Sequence, residues 1–245
     1  MMIDRKTLDF AEAIRNMNCP EKAWQRINRE MDQFGFTGGT YVLYTDLRNG
    51  SISDDMVFYS TYDADYLQTY IGEGMADHDY AVLHCSHSDR PARWSAIKDR
   101  YRTPKRNVFN EISSDYGLQE GFVIPIKDRQ DLLISGIGFC VSKDQQSDAS
   151  RLLTERWDYI SQLCLVFDEA VKRPRMLQKS YRLSARELEC LRLVCKGLHN
   201  QEISDALKLS DRTIEHYLRN AARKLRARNK HHLAAKAVML GIAAP

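Results

Sequence analysis

The sequence predicts an α+β fold class: an N-terminal α/β/α sandwich with a mostly antiparallel sheet, followed by an all-α C-terminal domain of four helices. Segments rich in Val, Ile, Phe and Tyr alternate with amphipathic helical patterns up to residue 171, whereas every pattern after residue 181 is helical. Between the two parts, Pro174 interrupts a helical pattern, because proline lacks the N–H of a helix interior and disfavours the α conformation at Arg173.

The charge distribution divides the chain at the same place. Residues 1–171 carry 19 basic and 27 acidic groups, whereas residues 181–245 carry 13 basic and 6 acidic groups, although the whole chain has a net charge of only +3. We therefore expect one domain at residues 1–171, a linker at 172–181 and a second domain at 182–245. Such a division is typical of a polyanion-binding domain attached to a domain with another task.

Four strands are predicted in the first domain, because the segments are rich in β-branched and aromatic residues and are bounded by Gly, Asp, Asn or Ser. They lie at residues 39–45, 55–60, 120–127 and 133–142. Helical patterns lie at residues 7–16, 21–34, 63–72 and 148–171. The last helix has one apolar seam, formed by Leu153, Trp157, Ile160, Cys164, Phe167 and Val171. Packing on the sheet is its simpler interpretation, and a dimer contact is the alternative.

Composition excludes several classes of protein. Hydrophobic residues make up 43% of the chain and charged residues 28%, which excludes a disordered chain. No apolar run approaches the roughly 18 residues of a membrane span, and the first residues lack the apolar core of a signal peptide. The six cysteines form no C-x-x-C pair, so reduced thiols and a cytoplasmic location are expected. Residues 78–87 hold His and Cys at no common zinc spacing, which predicts a polar loop without a metal.

The second domain begins with a helix-start signal. Ser184 and Glu187 form an S-x-x-E capping box, and Gly197 supplies the stop of the first helix. Lys208-Leu209-Ser210 forms a tight turn after a short second helix. The second to fourth helices are predicted at about residues 200–207, 211–226 and 230–240.

Two helices joined by a three-residue turn, the second rich in basic groups, indicate a helix-turn-helix motif that binds double-stranded DNA. A merely solvated basic helix would explain the charges but not the short preceding helix and the capped turn. Arg219 can bind guanine with two hydrogen bonds, and Asn220 can bind adenine. Other basic groups of this helix, Lys224 among them, suit phosphate contacts. The candidate DNA-binding residues are Asn200, Gln201, Arg212, Thr213, His216, Arg219, Asn220, Arg223 and Lys224.

This part of the chain resembles the DNA-binding domain of LuxR-type transcription regulators. The resemblance is carried by LSARE at 183–187, EISDAL at 202–207, SDRTIEH at 210–216 and the terminal KL at 224–225. The same DNA-binding domain occurs with different N-terminal domains. The first domain must therefore define the signal.

The first domain resembles the autoinducer-binding domain of the quorum-sensing LuxR branch, which binds N-acyl-homoserine lactones. The matching positions are Tyr66, Tyr70, Asp79, Trp94 and Gly121. Two positions depart from the family's pattern: a Trp is usual at Tyr66, and a Pro is usual directly after Asp79, where this chain has Tyr80.

The resemblance implies a pocket for a small-molecule signal. An acyl-homoserine lactone has one amide N–H, two or three carbonyls and an apolar tail. Asp79 would accept a hydrogen bond from the N–H, and tyrosine hydroxyls one helical turn apart would donate to carbonyls. Taken singly, each aromatic residue could be core, and Asp79 could be a helix N-cap. The candidate ligand-binding residues are Tyr62, Tyr66, Tyr70, Asp79, Trp94 and Gly121.

We therefore expect a cytoplasmic, ligand-responsive transcription regulator without a catalytic site, a metal, a cofactor or a membrane partner. It would bind a pseudo-palindromic DNA site as a homodimer and sense an N-acyl-homoserine lactone. An unpaired regulator that senses a different small molecule, or acts without ligand, is the alternative. An enzyme fused to a DNA-binding tail is disfavoured, since the sequence shows no nucleophile–base pair or phosphate loop.

Overall fold

The computed structural model describes residues 5–45, 51–52, 56–128, 132–141 and 146–243, with side chains left out at 146–150 and 152–154. The chain folds into two compact units that divide near residue 170. Over the described part of the chain, no helix combines the length and the apolar character that crossing a membrane requires.

The first unit is built on a five-stranded antiparallel sheet with the strand order β2-β1-β5-β4-β3. Its strands are β1 Phe36–Thr45, β2 Val57–Ser60, β3 Ala92–Arg93, β4 Gly121–Lys127 and β5 Leu133–Val141. The four predicted strands are confirmed. The two-residue strand β3 was not predicted, because so short a segment carries no alternation of polar and apolar residues.

Seven helices of the first unit are described, and they cover both faces of the sheet. They are α1 Arg5–Arg15, α2 Pro20–Asp32, α3 Ala64–Gly72, α4 Tyr80–His87, α5 Trp94–Lys98, α6 Pro104–Asp115 and α7 Gln146–Val171. On one face, Trp24 of α2 packs against Phe139 of β5 and Phe167 of α7, with ring centroids 6.4 and 5.6 Å apart. Ile160 and Cys164 of α7 are also fully buried. The Phe167 ring also contacts the ring of Tyr41 of β1, with centroids 5.2 Å apart, which confirms packing on the sheet for this member of the seam. The side chain of Leu153 lies outside the described residues.

The opposite face of the sheet is covered by α3, which the sequence predicted at residues 63–72, and by α4, α5 and α6, which it did not reveal. Residues 78–87 are not the expected polar loop: Asp79 caps α4, and Tyr80, Val82 and Cys85 are buried in it. A helix this short gives too few turns for a clear apolar stripe, which explains the wrong prediction. Its polar residues had suggested a loop, but His84 is buried as well and bonds the carbonyl of Arg90 at 2.8 Å.

The second unit begins with a helix where a linker was expected. Pro174 stands in the first turn of α8, Pro174–Ser180, where a missing N–H breaks no hydrogen bond. Met176 and Leu177 of α8 are buried, and the Gln178 amide donates to the carbonyl of Ile242 at 3.3 Å. Most of the expected linker 172–181 is therefore packed helix.

The remaining helices of the second unit follow the prediction closely. They are α9 Ala185–Cys195, α10 Asn200–Leu207, α11 Asp211–Lys224 and α12 Lys230–Met239. Ser184 and Glu187 form the predicted capping box of α9. Gly197 ends that helix with a φ of 89°, a conformation that glycine adopts without strain. Ser210 caps α11 by accepting from the N–H of Thr213. The helix-turn-helix arrangement of α10 and α11 is thus present.

Candidate ligand cavity and DNA-binding surface

A cavity, called the inner cavity below, lies between the sheet and the helices α3, α4 and α6 of the first unit. It encloses about 510 Å³ including its open mouth, of which about 50 Å³ admits the centre of a water molecule. One water needs about 10–15 Å³ by the latter measure, so the inner cavity has room for a few waters. Its walls are mainly aromatic and aliphatic, and they are formed by Thr40, Val42, Tyr62, Tyr66, Asp79, Tyr80, Ala81, Val82, Cys85, Trp94, Phe109, Ser113, Leu118, Val123, Gly136 and Gly138.

Asp79 joins the wall of the inner cavity to the start of α4. Its Oδ1 accepts hydrogen bonds from the backbone N–H groups of Ala81 at 2.7 Å and Val82 at 3.4 Å. Its Oδ2 accepts from the phenol of Tyr70 at 2.9 Å. The sequence left a helix cap and a ligand contact as alternatives for Asp79. The cap is confirmed, and the same side chain also lines the cavity.

The protonation of Asp79 depends on two opposing effects. Burial of the carboxyl group raises its pKa above the ordinary value, and the hydrogen bonds from Ala81, Tyr70 and Val82 oppose that rise without cancelling it. A ligand N–H bonded to the ionised carboxylate would favour the charged form in the same way as these donors. Asp79 is therefore the group in the cavity wall whose charge a ligand can influence most directly.

Two hydrogen-bond donors at the cavity wall form no well-aligned hydrogen bond with the described residues. They are the O–H of Tyr62 and the indole N–H of Trp94, and both atoms are buried. The Tyr62 hydroxyl lies beside the Thr40 hydroxyl and the Cys140 thiol, which interact with it only weakly. Burial raises the pKa of Tyr62 well above its ordinary value, so its O–H stays protonated at neutral pH. A buried donor without a partner is destabilising by about 1–3 kcal/mol, and a bound molecule or water that accepted from either atom would relieve that cost.

Tyr66 lines the inner cavity, but its hydroxyl already has a protein partner. The Tyr66 and Ser113 hydroxyls lie 3.1 Å apart, and either can be the donor of the bond between them. The Tyr66 ring contacts the ring of Tyr62 edge-on, with centroids 5.9 Å apart. We had expected the Tyr66 hydroxyl to donate directly to a ligand carbonyl, and its pairing with Ser113 changes that expectation.

Two of the expected ligand-binding residues do not line the inner cavity. Tyr70 lies behind Asp79 and contacts its carboxylate. Gly121 stands where β4 passes close to its neighbours: a Cβ there would lie 2.3 Å from the carbonyl oxygen of Phe139 and 3.0 Å from the ring of Trp94. Both residues support other residues of the cavity wall. The sequence alone does not distinguish such a supporting residue from one that contacts the ligand.

Sequence reasoning missed most of the cavity wall. On the sheet side, one face of β1 and β5 carries Thr40, Gly136 and Gly138, because strand residues alternate between the two faces. Only the assignment of these strands could have indicated that the three residues belong to the wall. On the helical side, the ring of Tyr80 packs edge-on against Trp94 at 6.4 Å and Phe109 at 5.6 Å. Tyr80 therefore adds an aromatic wall at the position where the family usually has Pro.

The candidate DNA-binding surface is the outward face of α11. Ile214, Leu218 and Ala221 are buried, so the residues on the opposite side of α11 face solvent. The exposed positions include four that had been proposed for DNA contact: Arg212, His216, Arg219 and Arg223. Gln201, at the start of α10, is exposed as well.

The other expected DNA contacts have partners within the second unit. Asn220 bonds the Nε2 of His216 at 3.0 Å and accepts from Arg223 at 3.3 Å, so the part-buried Asn220 joins two exposed side chains of α11. The Thr213 hydroxyl bonds that of Ser210, and Asn200 accepts from Lys230 at 2.9 Å. Contact with DNA stays a prediction for all of them.

The ammonium of Lys224 is engaged by a carboxylate of its own unit, and its contact with phosphate stays a prediction. Its Nζ lies 2.6 Å from Oε2 and 2.8 Å from Oε1 of Glu187, which is buried. Burial alone would raise the pKa of Glu187, but the hydrogen bonds from Lys224 and Ser184 outweigh burial and lower it. Lys224 therefore links α11 to the start of α9, a pairing over 37 positions that helical spacing cannot reveal.

Two family models together cover most of the chain. A model described as "Autoinducer binding domain" matches residues 20–170, and one described as "Bacterial regulatory proteins, luxR family" matches residues 181–237. The chain is 27% identical over 241 residues to the HTH-type quorum sensing-dependent transcriptional regulator RpaR of Rhodopseudomonas palustris, over 97% of this chain and 95% of RpaR. It is 24% identical to the transcriptional activator protein LuxR of Aliivibrio fischeri, over 82% of this chain and 80% of that protein.

The fold is also found in solved structures. Escherichia coli SdiA in complex with octanoyl-rac-glycerol superposes with a TM-score of 0.58 at 17% identity, over 100% of both chains. This likeness shows a shared fold, and the family models add the sequence relationship. The chain therefore belongs to the LuxR family of bacterial regulatory proteins, as a ligand-responsive quorum-sensing transcription regulator with an autoinducer-binding domain and a DNA-binding domain.

Proposed function

We propose that the signal of this regulator is an N-acyl-homoserine lactone and that it binds in the inner cavity. The observation that carries the proposal is the presence of one carboxylate and two unpaired donors at a largely apolar wall. These groups are Asp79, the O–H of Tyr62 and the indole N–H of Trp94. One acceptor beside two donors complements a ligand with one amide N–H and two or more carbonyls.

The hydrogen bonds of Asp79 leave room for one such N–H. A carboxylate offers about four lone-pair positions. The N–H groups of Ala81 and Val82 and the phenol of Tyr70 occupy three of them. The position that remains can accept from the ligand without breaking the cap of α4.

The remaining wall suits the acyl group. Phe109, Leu118 and Val123 are buried apolar residues of the inner cavity, and burying a methylene group against such residues is favourable by about 0.8 kcal/mol. The unliganded cavity has room for only a few waters, so it has to widen to admit the acyl group.

Ligand binding would regulate the protein through stability. The unliganded cavity contains two unpaired donors and a carboxylate with a raised pKa, all of which disfavour the folded state. A ligand that binds only the folded state adds about 2.7 kcal/mol of stability at a concentration of 100 times its Kd. The signal would thereby increase the amount of folded regulator.

We assign signal binding to residues 1–171 and DNA binding to residues 182–245. A homodimer with two-fold symmetry would place two copies of α11 in successive major grooves of a pseudo-palindromic site, about 34–36 Å apart. Because its target is the chromosome, we place the regulator in the cytoplasm, and we assign it a binding role without catalysis.

A different acylated signal is the second candidate. The free lone-pair position of Asp79 accepts an O–H as readily as an N–H. SdiA, which shares the fold, has been solved with octanoyl-rac-glycerol. An acyl glycerol would present hydroxyl groups to Asp79 and one ester carbonyl to Tyr62 or Trp94.

Mass spectrometry of a solvent extract distinguishes the two candidates. The full chain is produced with N-acyl-homoserine lactones in the medium, with 1-octanoyl-glycerol, or with neither, and is then purified and extracted. We expect a lactone to be retained in near-equal molar amount with the protein. Retention of the glycerol ester alone would favour the second candidate, and folded, DNA-binding protein with a clean extract would favour a ligand-free regulator.

A further inference from the structure

We propose that Tyr66 and Ser113 act as one unit that presents a single O–H donor to the signal, with Ser113 carrying that donor in the parent protein. Ser113 would then be a specificity-determining residue for an acceptor group of the ligand. This inference rests on the proposed function, since it concerns the same cavity.

The two hydroxyls meet at the cavity wall from different helices. Tyr66 comes from α3 and Ser113 from α6, and their oxygen atoms lie 3.1 Å apart. Both residues line the inner cavity, and both are only 3% exposed. Neither hydroxyl has a second hydrogen-bond partner among the described side chains, so the pair shares no hydrogen bond with another of them.

Counting hydrogens shows what this pair offers to a ligand. Two hydroxyls carry two hydrogens, and the bond between them uses one. The second hydrogen has no protein acceptor within the described residues, and the open side of the pair is the inner cavity. The pair therefore presents one donor to a bound molecule.

The chemistry of the two groups decides which hydroxyl keeps the free hydrogen. A phenol is more acidic than an aliphatic alcohol and is the stronger donor, whereas the serine oxygen is the stronger acceptor. Tyr66 therefore donates to Ser113, and the Ser113 O–H points to the ligand. Burial raises the pKa of Tyr66, so the phenol keeps its hydrogen at neutral pH.

The arrangement has a consequence that a single contact would not have. If Ser113 loses its hydroxyl, the Tyr66 O–H is released and can turn to the ligand. If Tyr66 loses its hydroxyl, Ser113 still donates. Only loss of both hydroxyls removes the donor, so the two substitutions are expected to be strongly non-additive.

A double-mutant cycle with N-octanoyl-homoserine lactone tests the proposal. The full-length parent, Tyr66→Phe, Ser113→Ala and the double variant are titrated by calorimetry. We expect each single variant to lose less than threefold in affinity and the double variant to lose at least thirtyfold. Returning one hydroxyl should restore binding, so Tyr66→Phe/Ser113→Thr should bind within threefold of the parent, whereas the near-isosteric Tyr66→Phe/Ser113→Val should not.

The chain provides a matched control for lost hydroxyls. Tyr44 and Ser86 form a second tyrosine–serine pair, 2.7 Å apart, that does not itself line the inner cavity, although both hydroxyls also bond the carbonyl of Val82 in its wall. The variant Tyr44→Phe/Ser86→Ala removes the same atoms as the test variant and should bind the lactone within twofold of the parent.

Three results would overturn the inference. Affinity of the double variant equal to that of the parent would show that the pair does not contact the ligand. A loss equal to the product of the two single losses would show independent contributions. A parent protein that binds no homoserine lactone would contradict the proposed function and remove this inference with it, which separates that failure from the first two.

Discussion

The phenol of Tyr70 donates a 2.9 Å hydrogen bond to Oδ2 of Asp79, the carboxylate whose other oxygen caps α4. Tyr70 lies outside the wall of the inner cavity, whereas Asp79 is part of that wall. The phenol thus fixes the carboxylate from behind and leaves its cavity side open. Asp79 has a structural role and a candidate ligand role at once, and substitution can separate the two.

Asp79→Asn is expected to weaken ligand binding while keeping the helix cap. Asn is as good an N-cap as Asp, but it replaces a charged acceptor with an amide. We expect lactone affinity to fall at least tenfold, about 1.4 kcal/mol, with the melting temperature of the unliganded protein retained. Calorimetric titration and thermal denaturation measure the two effects. Unchanged affinity would show that Asp79 serves only as a cap.

Asp79→Ala is the matching variant that loses both roles. Without any side-chain acceptor, α4 loses its cap, which is destabilising by about 0.5–2 kcal/mol. We expect this variant to lose affinity and also to melt at a lower temperature than Asp79→Asn. Equal melting temperatures of the two variants would show that the cap contributes no stability.

Lactone affinity is expected to fall as the pH is lowered. Burial raises the pKa of Asp79 in the unliganded protein, and a ligand N–H favours the ionised form. Protons therefore compete with the ligand, and affinity decreases as the pH falls through the raised pKa. The same shift makes the unliganded fold more stable at low pH, a stability that is lost as the pH rises through that pKa. Lactone titrations at pH values on both sides of the raised pKa should show a pH-dependent affinity in the parent and a constant affinity in Asp79→Asn.

Replacement of Lys224 is expected to destabilise the second unit rather than to change the salt dependence of DNA binding. Lys224→Met would leave Glu187 buried without its partner, and its side chain is only 4% exposed. The Lys224 side chain is 28% exposed. We therefore expect the second unit to lose about 1–3 kcal/mol of stability, less than when a fully buried pair is broken. Hydrogen exchange at the amides of α9 and α11 measures this loss. The exposed neighbour Arg223→Met is the control and should exchange like the parent.

Acid should weaken the same contact. Lys224 and Ser184 hold the pKa of Glu187 below its ordinary value. The ionised Glu187 therefore contributes fully to the stability of the second unit at pH values above that ordinary pKa. The contribution is lost as the pH falls through the lowered pKa. Protection of α9 and α11 should therefore decline on acidification in the parent and less steeply in Lys224→Met. Parallel pH profiles would contradict a stabilising ion pair.

Arg219 and Arg223 are expected to affect DNA binding in different ways. Both are exposed on α11, but we expect Arg219 to read a base and Arg223 to contact phosphate. On a DNA site selected from random duplexes, Arg219→Ala should lose about 1–3 kcal/mol of binding free energy. It should also discriminate less between bases at one base pair of that site. Arg223→Ala should weaken all sequences alike and lower the salt slope by about one unit. Equal losses of Arg219→Ala on selected and random DNA would refute base reading.

Local signals made the second unit predictable. The capping box of Ser184 and Glu187, the stop at Gly197 and the turn before Ser210 all act within one helical turn, so the sequence displays them directly. Pro174 was misinterpreted because proline both ends one helix and begins the next, and its sequence context does not distinguish the two.

Contacts between distant positions could not be predicted in the same way. The Tyr66–Ser113 pair spans 47 positions, and the Lys224–Glu187 pair spans 37. Both arise when separate helices are brought together by packing on a core, and nothing in either local sequence specifies the partner. The cavity wall was therefore only partly foreseen, from the resemblance rather than from the residues.

The indole N–H of Trp94 provides the most direct measurement of the central claim. The protein has three tryptophans, and the Trp94→Phe variant assigns the Trp94 resonance in a spectrum of ¹⁵N-labelled indoles. As an N-acyl-homoserine lactone is added, the Trp94 signal should move as its unpaired N–H gains an acceptor, and it should saturate at one lactone per chain. An unmoved Trp94 resonance at saturating lactone would contradict binding in the inner cavity.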